Sequence, residues 1–327
     1  MSSLAKRHWF MLAMLAVVII AFRFPGIGAQ GGILRREITI NLAIILIFFM
    51  QGWMLPTEVL ARSALRWKAH LFVQTFIFLF FPLLVLFGDL FWSGYLSGHL
   101  RIGFYLLGVL PTTISSAVVF TSQSGGSTGI SLVNTTVSNI VGVFITPLWM
   151  SLLVTAGSVE IGDLSAVLLK LSKLILVPII VGQVAHLLSR SIITKIKRPA
   201  GLINQFAILY IVFAVFAQSV DSGVWDEQGL QIVIATVVIS LVIYGVVNAL
   251  CLWLIQAFKF TREDRSAVFF CCTQKTMGAG VPLAVSLFGS DPAALGVILL
   301  PMMVFHPVHL ILGTLWFPYF RKQKSPA

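Results

Sequence analysis

The chain has 327 residues, 58% of them hydrophobic and only 10% charged, with a formal net charge of +11 and a mean hydropathy of +0.99. A water-facing surface needs roughly a quarter of its residues charged, so this composition excludes a cytosolic enzyme, a disordered chain and a secreted disulfide scaffold; the main solvent is lipid. The basic residues sit between apolar runs rather than in one patch, which speaks for membrane topology and against nucleic acid. Cys251, Cys271 and Cys272 lie inside apolar stretches without a CxxC pair or a disulfide pattern, as small packing residues do.

A hydrocarbon core of about 30 Å takes about 20 apolar residues per helix. In chain order, apolar runs predict ten membrane helices, near 7–24, 38–55, 69–88, 102–122, 126–156, 164–189, 202–220, 229–257, 264–288 and 292–318. The first lacks a small-residue cleavage site and runs on to Phe24-Pro25, so it reads as a retained helix. With the N-terminus inside, the cytoplasmic pieces carry Lys6, Arg7, Arg62, Arg66, Lys68, Arg190, Lys195, Lys197, Arg198, Lys259, Arg262, Arg265, Arg321, Lys322 and Lys324. The opposite side carries Arg23, Arg35, Arg36 and Arg101, while Lys170, Lys173 and Lys275 fall within runs. Fifteen against four is the bias expected of ten spans with both termini in the cytoplasm. Trp9, Trp53, Trp92 and Trp316 lie near span ends, where interfacial aromatic belts form.

Ten spans divide into two fives, and an odd number per half inverts the second half, a common build of secondary transporters. The expected domains are therefore a first five-helix repeat, 1–160, and a second, 161–327. At nearly constant offset Thr113 falls on Thr276, Val118 on Val281, Gly126 on Gly289 and Pro147 on Pro307, pairing span four with nine and five with ten. The same places have unusual composition. Pro111-Thr-Thr-Ile-Ser-Ser116 interrupts span four, TSQSGGST follows from Thr121, and span nine carries Cys272-Thr-Gln-Lys-Thr-Met-Gly-Ala-Gly-Val-Pro282. Proline, glycine and hydroxyl residues unwind helices, and carbonyls freed at membrane depth must be buried or line a wet cavity. Two such segments at matching positions favour a binding site over a pair of packing kinks.

The combination of PTTISSAV, GGSTGISLVNTTVSNIVGVFITP and FFCCTQKTMGAGVPLA, with FFMQGWMLPTEVL and HLFVQTFIFLFFPLL earlier, resembles the bile acid:sodium symporter family in its SBF-like branch, over essentially the whole chain. The resemblance implies an all-α polytopic fold of two inverted five-helix repeats. Helices 3–5 and 8–10 would form a core domain and helices 1, 2, 6 and 7 a panel domain. Helices 4 and 9 would be broken and cross, with substrate in the crevice between core and panel. It also implies sodium sites beside the crossover, built from hydroxyls and amides of helices 4 and 5, a glutamate and a glutamine on helix 9, and a helix 3 glutamine. Carried over, Ser131 and Thr135, with Asn134 beside them, match the helix 5 positions, and Gln74 the helix 3 glutamine, at a different spacing to Pro82. On helix 4 the family's Ser-Asn pair is replaced by Ala117-Val118, leaving Thr112, Thr113, Ser115 and Ser116 nearby. On helix 9 the glutamate is missing. Cys271, Cys272 or Thr273 stands in that region, followed by Gln274, Lys275 and Thr276, and no other carboxylate lies inside a run beyond Asp264, the first residue of the ninth. Ser131, Thr135, Gln74 and Gln274 are the expected sodium ligands.

Lys275 stands ten residues beyond Arg265, about 15 Å along a helix. A lysine at that depth costs a few kcal/mol and is by default a functional residue. Three readings follow: its ammonium takes the place of a lost sodium ion at the crossover, solvated by carbonyls of the unwound segments and Gln274; it exchanges protons and couples transport to them; or it is a fixed charge in an aqueous vestibule that attracts anions. His306 and His309 share a helix face and would bind metal or relay protons, or simply bond carbonyls; Gln218 and Asn248 are expected to join helices by hydrogen bonds.

The expected function is secondary active transport (symport) of a small organic anion, steroid- or bile-acid-like, coupled to Na+ or H+, in the inner membrane. The alternative is a membrane regulator of the same fold that moves nothing. No acidic dyad, HExxH or Ser-His pair within the runs supports an enzyme, and no organic cofactor is expected. Neither rings of charge nor a repeated filter supports a channel.

Overall fold

The computed structural model describes residues 3–54, 66–155, 172–225, 229–258, 260–289 and 291–322. Several expectations lie outside these: the start of span six with Lys170, the 160/161 boundary between repeats, and Arg62, Lys259 and Lys324. The side chains of Lys6, Arg7, Arg190, Lys195, Lys197 and Arg198 are likewise outside the description.

Among the described residues the structure is helical and without strands. Five helices are long and apolar enough to cross a membrane: Trp67–Trp92, Thr128–Leu153, Pro199–Asp221, Gly229–Ala257 and Leu295–Lys322. A sixth span is made by Gly98–Val109 and Ile114–Gln123 if that pair, bent by 54°, is taken as one. Trp9–Arg23, Ile38–Trp53 and Lys173–Leu188 are shorter apolar helices. The helices are α1 (Ser3–Arg23), α2 (Pro25–Gly28), α3 (Arg36–Trp53), α4 (Trp67–Thr75), α5 (Phe81–Trp92), α6 (Gly98–Val109), α7 (Ile114–Gln123) and α8 (Thr128–Thr155), followed by α9 (Val177–Leu188), α10 (Arg190–Asp221), α11 (Gly229–Ala257), α12 (Arg262–Thr273), α13 (Met277–Phe288), α14 (Leu295–Leu312) and α15 (Phe317–Lys322). The run expected at 229–257 coincides with α11, of whose most apolar stretch only 33% is buried; the rest of it faces outward with Leu, Val, Ile and Trp side chains, as a lipid-facing helix does.

The chain forms two compact units. The first comprises Met1–Leu55, Gly162–Leu230 and Val281–Leu299. In it α1 and α3 pack on α10, and α3 packs on α9. A Cβ on Gly52 would lie 2.2 Å from the Ile179 carbonyl oxygen, and one on Gly182 2.3 Å from that of Phe49. Only glycine permits this approach of backbones, the small-residue packing of membrane helices. The contact is fastened by polar bonds: the Gln183 amide donates to the Gly52 carbonyl, and the Trp53 indole donates to Ser189 Oγ at 2.8 Å. Gln218, expected to join elements, accepts from the Gln30 main-chain N–H at 2.7 Å.

The second unit comprises Pro56–Ile161, Gln231–Gly280 and Leu300–Ala327. Phe120, Phe269, Phe270, Phe317 and Phe320 form one contiguous aromatic cluster with Trp316. At its edge α12 begins under an N-cap, Thr261 Oγ1 accepting from Asp264 N, with Glu263 and Asp264 in the first turn, where carboxylates offset the helix dipole. Asp264 also pairs with Arg66 at 2.7 Å. One reading of the sequence is corrected here. A carboxylate does lie inside a span, because the third helix continues past residue 88 to Trp92 and takes in Asp89. Asp89 is buried, and it accepts from Arg101 Nε at 2.9 Å and Nη2 at 2.5 Å and from Tyr105 Oη at 2.5 Å. Arg101, expected in a loop, belongs to α6. The pair neutralises both charges, so the helices extend further than a run that stops at each charge.

Candidate functional site

Two breaks, both in the second unit, define the site. The first lies between α6 and α7 over Leu110-Pro-Thr-Thr113, the second between α12 and α13 over Gln274-Lys-Thr276. Pro111 has no N–H, so α6 cannot continue through it and its last carbonyls lose their helical donors. Each freed group for which a partner is seen is claimed from another element. Val109 O accepts from Thr146 Oγ1 at 2.9 Å, and Thr112 O from Asn139 Nδ2 at 2.8 Å, both on α8. Pro111 O accepts the Thr276 main-chain N–H at 3.0 Å, which bonds the first break to the second. Gly108 O and Leu110 O both accept from Lys275 Nζ at 2.7 Å.

The remaining sides of the lysine pocket come from the third helix. Between α4 and α5 the chain makes a π turn, Phe76–Phe80, in which the Phe81 N–H reaches back five residues to Phe76 O. Pro82 follows. In the α register its missing N–H would have served Phe78 O, and in the π register Ile77 O. Phe78 O instead accepts from the Trp149 indole at 2.8 Å, and Ile77 O accepts from Lys275 Nζ at 3.4 Å. The Phe81 ring closes the pocket, its centroid 3.9 Å from Nζ, within cation–π range. Lys275 is 2% exposed. Its three ammonium donors thus meet three carbonyls without helical donors and one aromatic face, which is how a lone buried cation is accommodated without a carboxylate. Behind it, the His306 ring hydrogen-bonds the Lys275 main chain.

The other expected site residues divide. Ser131 Oγ lies 3.3 Å from Cys271 Sγ, joining α8 to α12. Gln74 Nε2 donates to Asn134 O at 3.1 Å and Oδ1 at 3.3 Å, joining α4 to α8. Ser116 Oγ donates to Gln274 Oε1 at 2.6 Å, joining α7 to the second break. Thr276 Oγ1 accepts from the Gly278 N–H at the start of α13. Thr112 and Thr113 are buried. Ser115 is exposed on α7 and is not brought to the site. Of the four expected sodium ligands, Thr135 Oγ1 bonds Leu132 O in its own helix, Ser131 faces the thiol and Gln274 Oε1 is taken by Ser116. Gln74 Oε1 alone of the four oxygens is buried without a partner. No group of three or more His, Cys, Asp or Glu that would hold a metal occurs among the described residues. Asn248, expected to bridge helices, donates to Tyr244 O within α11. Sequence reasoning missed Pro82, Phe81, Thr146 and Trp149; the Phe-Pro pair inside span three was the available signal, since any proline at membrane depth leaves carbonyls that something must claim.

Residues 8–322 match the model of a family described as SBF-like CPA transporters. The chain belongs to that transporter family. It is 28% identical to sodium/bile acid cotransporter 7 of Danio rerio, over 98% of this chain and 95% of the relative. It is also 28% identical to sodium/bile acid cotransporter 7 of Rattus norvegicus, over 96% of this chain and 92% of the relative. The Escherichia coli (strain K12) protein YfeH, which carries a provisional symporter name, is 28% identical over 96% of this chain and 93% of its own length. With its membrane-length apolar helices, this family member is an integral membrane protein.

Proposed function

We propose that the protein is a secondary active transporter of a small organic anion, working by alternating access, with cation coupling at the crossover of the two broken helices. The observation that carries this reading is the direct bonding of two buried breaks, through Thr276 N–H to Pro111 O and Lys275 Nζ to Gly108 O and Leu110 O. Unwound segments facing one another are where transporters place ligands and coupling ions. The names of the relatives, sodium/bile acid cotransporters, support a steroid- or bile-acid-like carboxylate or sulfate as substrate and sodium as one coupling ion; Lys275 supports protons as the other.

The reading includes ten spans in two inverted repeats, 1–160 and 161–327, both termini cytoplasmic, in the inner membrane; the fifteen-to-four distribution of Lys and Arg supports the orientation. The grouping of 1–55 with 162–230, separate from 56–161 with 231–280 and 300–327, supports a panel of helices 1, 2, 6 and 7 and a core of helices 3–5 and 8–10; Val281–Leu299 falls with the first unit, so for that part of helices 9 and 10 the core assignment rests on the family resemblance. Gln74, Ser116, Ser131, Asn134, Thr135 and Gln274 line the core side of the proposed site; in this reading the chain carries out no catalysis.

The test is uptake of labelled sulfated and carboxylated steroids into proteoliposomes, driven in turn by inward sodium and proton gradients. Saturable uptake that one gradient concentrates is expected. Absence of saturable uptake of any of these anions under either gradient would favour the non-transporting regulator.

A further inference from the structure

The Lys275 pocket has the chemistry of a binding site whose ligand is part of the chain. Its walls are the carbonyls of Ile77, Gly108 and Leu110 and the face of Phe81, contributed by the π turn, α5 and the first break. Pro82 removes the π-register donor of Ile77 O, and the end of α6 before Pro111 removes the helical donors of Gly108 O and Leu110 O, so removal of the ammonium would leave them buried and unsatisfied. Three acceptors and one π face match a primary ammonium, which has three donors and no acceptor, better than they match a hydrated metal cation.

We propose that these residues form a primary-ammonium site in which Lys275 is the tethered resident, so that this pocket is filled by an internal cation and takes none from solution. Tethering makes the effective concentration of the ligand very high, and the wild-type site is saturated under all salts. A chain with the side chain removed presents the same carbonyls and ring to small ammonium ions. The inference concerns the crossover on which the functional reading rests, but it is read out by stability and not by transport, so the failure of one is separable from the failure of the other.

The experiment is thermal unfolding of the purified full-length wild type, Lys275→Ala, Lys275→Met and Lys275→Gln in the chlorides of methylammonium, sodium, potassium and choline at equal ionic strength. The wild type is expected to melt at one temperature in methylammonium, potassium and choline, its ammonium pocket being already filled. Lys275→Ala is expected to melt lower and to regain at least half of the lost interval, saturably, with methylammonium and not with choline, whose methyl groups replace the donors. Lys275→Met fills the volume and gains nothing. Lys275→Gln, which keeps size and two donors without charge, is expected to fold and melt below wild type. Recovery of Lys275→Ala by sodium in preference to methylammonium, equal loss in Lys275→Ala under every salt, or Lys275→Gln as stable as wild type would each overturn the proposal. Should Lys275→Ala not fold, Lys275→Gln as stable as the wild type, or a methylammonium-specific shift in the wild type, overturns the proposal.

Discussion

The two helix breaks of the second unit are chemically opposite. The first, at Leu110–Thr113, contains no ionisable side chain and offers acceptors: the carbonyls of Gly108 through Thr112 accept from Lys275, Thr146, Lys275, Thr276 and Asn139 in turn. The second, at Gln274–Thr276, offers donors: an ammonium and a main-chain N–H. Pro111 creates the first set by ending α6, and a lysine supplies the second by adding three donors. Neither break is stable alone, since both are buried and each unclaimed backbone group in a buried apolar setting costs about 1–3 kcal/mol. Together they satisfy one another. The lesson is that two facing breaks need not be alike; they need to be complementary.

Breaking the donor side should have the largest effect. Lys275→Met leaves at least Gly108 O and Leu110 O without a partner, at about 1–3 kcal/mol each, offset in part by no longer burying a charge. A loss of about 3 kcal/mol, measured as reduced resistance to unfolding in detergent, is expected. A control lies at the far end of α6, away from both breaks. Asp89→Asn strands the Arg101 guanidinium, but that side chain is 31% exposed, so the cost of a broken buried pair is discounted to about 2 kcal/mol, with no change in response to salts. Weakening a single claim on the acceptor side is smaller still. Thr146→Val frees Val109 O at unchanged volume and should cost about 1 kcal/mol, toward the upper end of interhelical hydrogen bonds in membranes. Thermal scans of the same preparations check both.

Much of this was legible in the sequence. Five of the ten expected runs coincide with membrane-length helices and a sixth with the bent pair, and both breaks follow from Pro111 and from the Gly-rich stretch after Cys272. Lys275 announces itself by its distance from water. Its solvation by main-chain carbonyls of unwound segments was expected, whereas Gln274, the expected side-chain partner, turns to Ser116 instead. The third wall of the pocket was not legible, because the switch from α to π register at Phe76–Phe80 leaves no mark on periodicity beyond the Phe-Pro pair that follows. Asp89 was misjudged because reading a span up to its first charge ignores a neutralising partner twelve residues away. Ser115 illustrates a similar limit: beyond a break, the face a residue presents depends on how the next helix is turned. The hydroxyls on α8 were found by resemblance, yet Thr135 bonds within its own helix and Ser131 meets Cys271, contacts that spacing alone does not reveal.

The claim at the centre of this account is that Pro111 creates the acceptors that Lys275 fills. A double-mutant cycle of Pro111→Ala and Lys275→Met, followed by thermal stability in one buffer, measures that dependence directly. If the account holds, Pro111→Ala is costly in the wild type, where helical continuation competes for the carbonyls, and far less costly beside Lys275→Met. The coupling should then be about 1–3 kcal/mol. Additive effects, within about 0.5 kcal/mol, would contradict it.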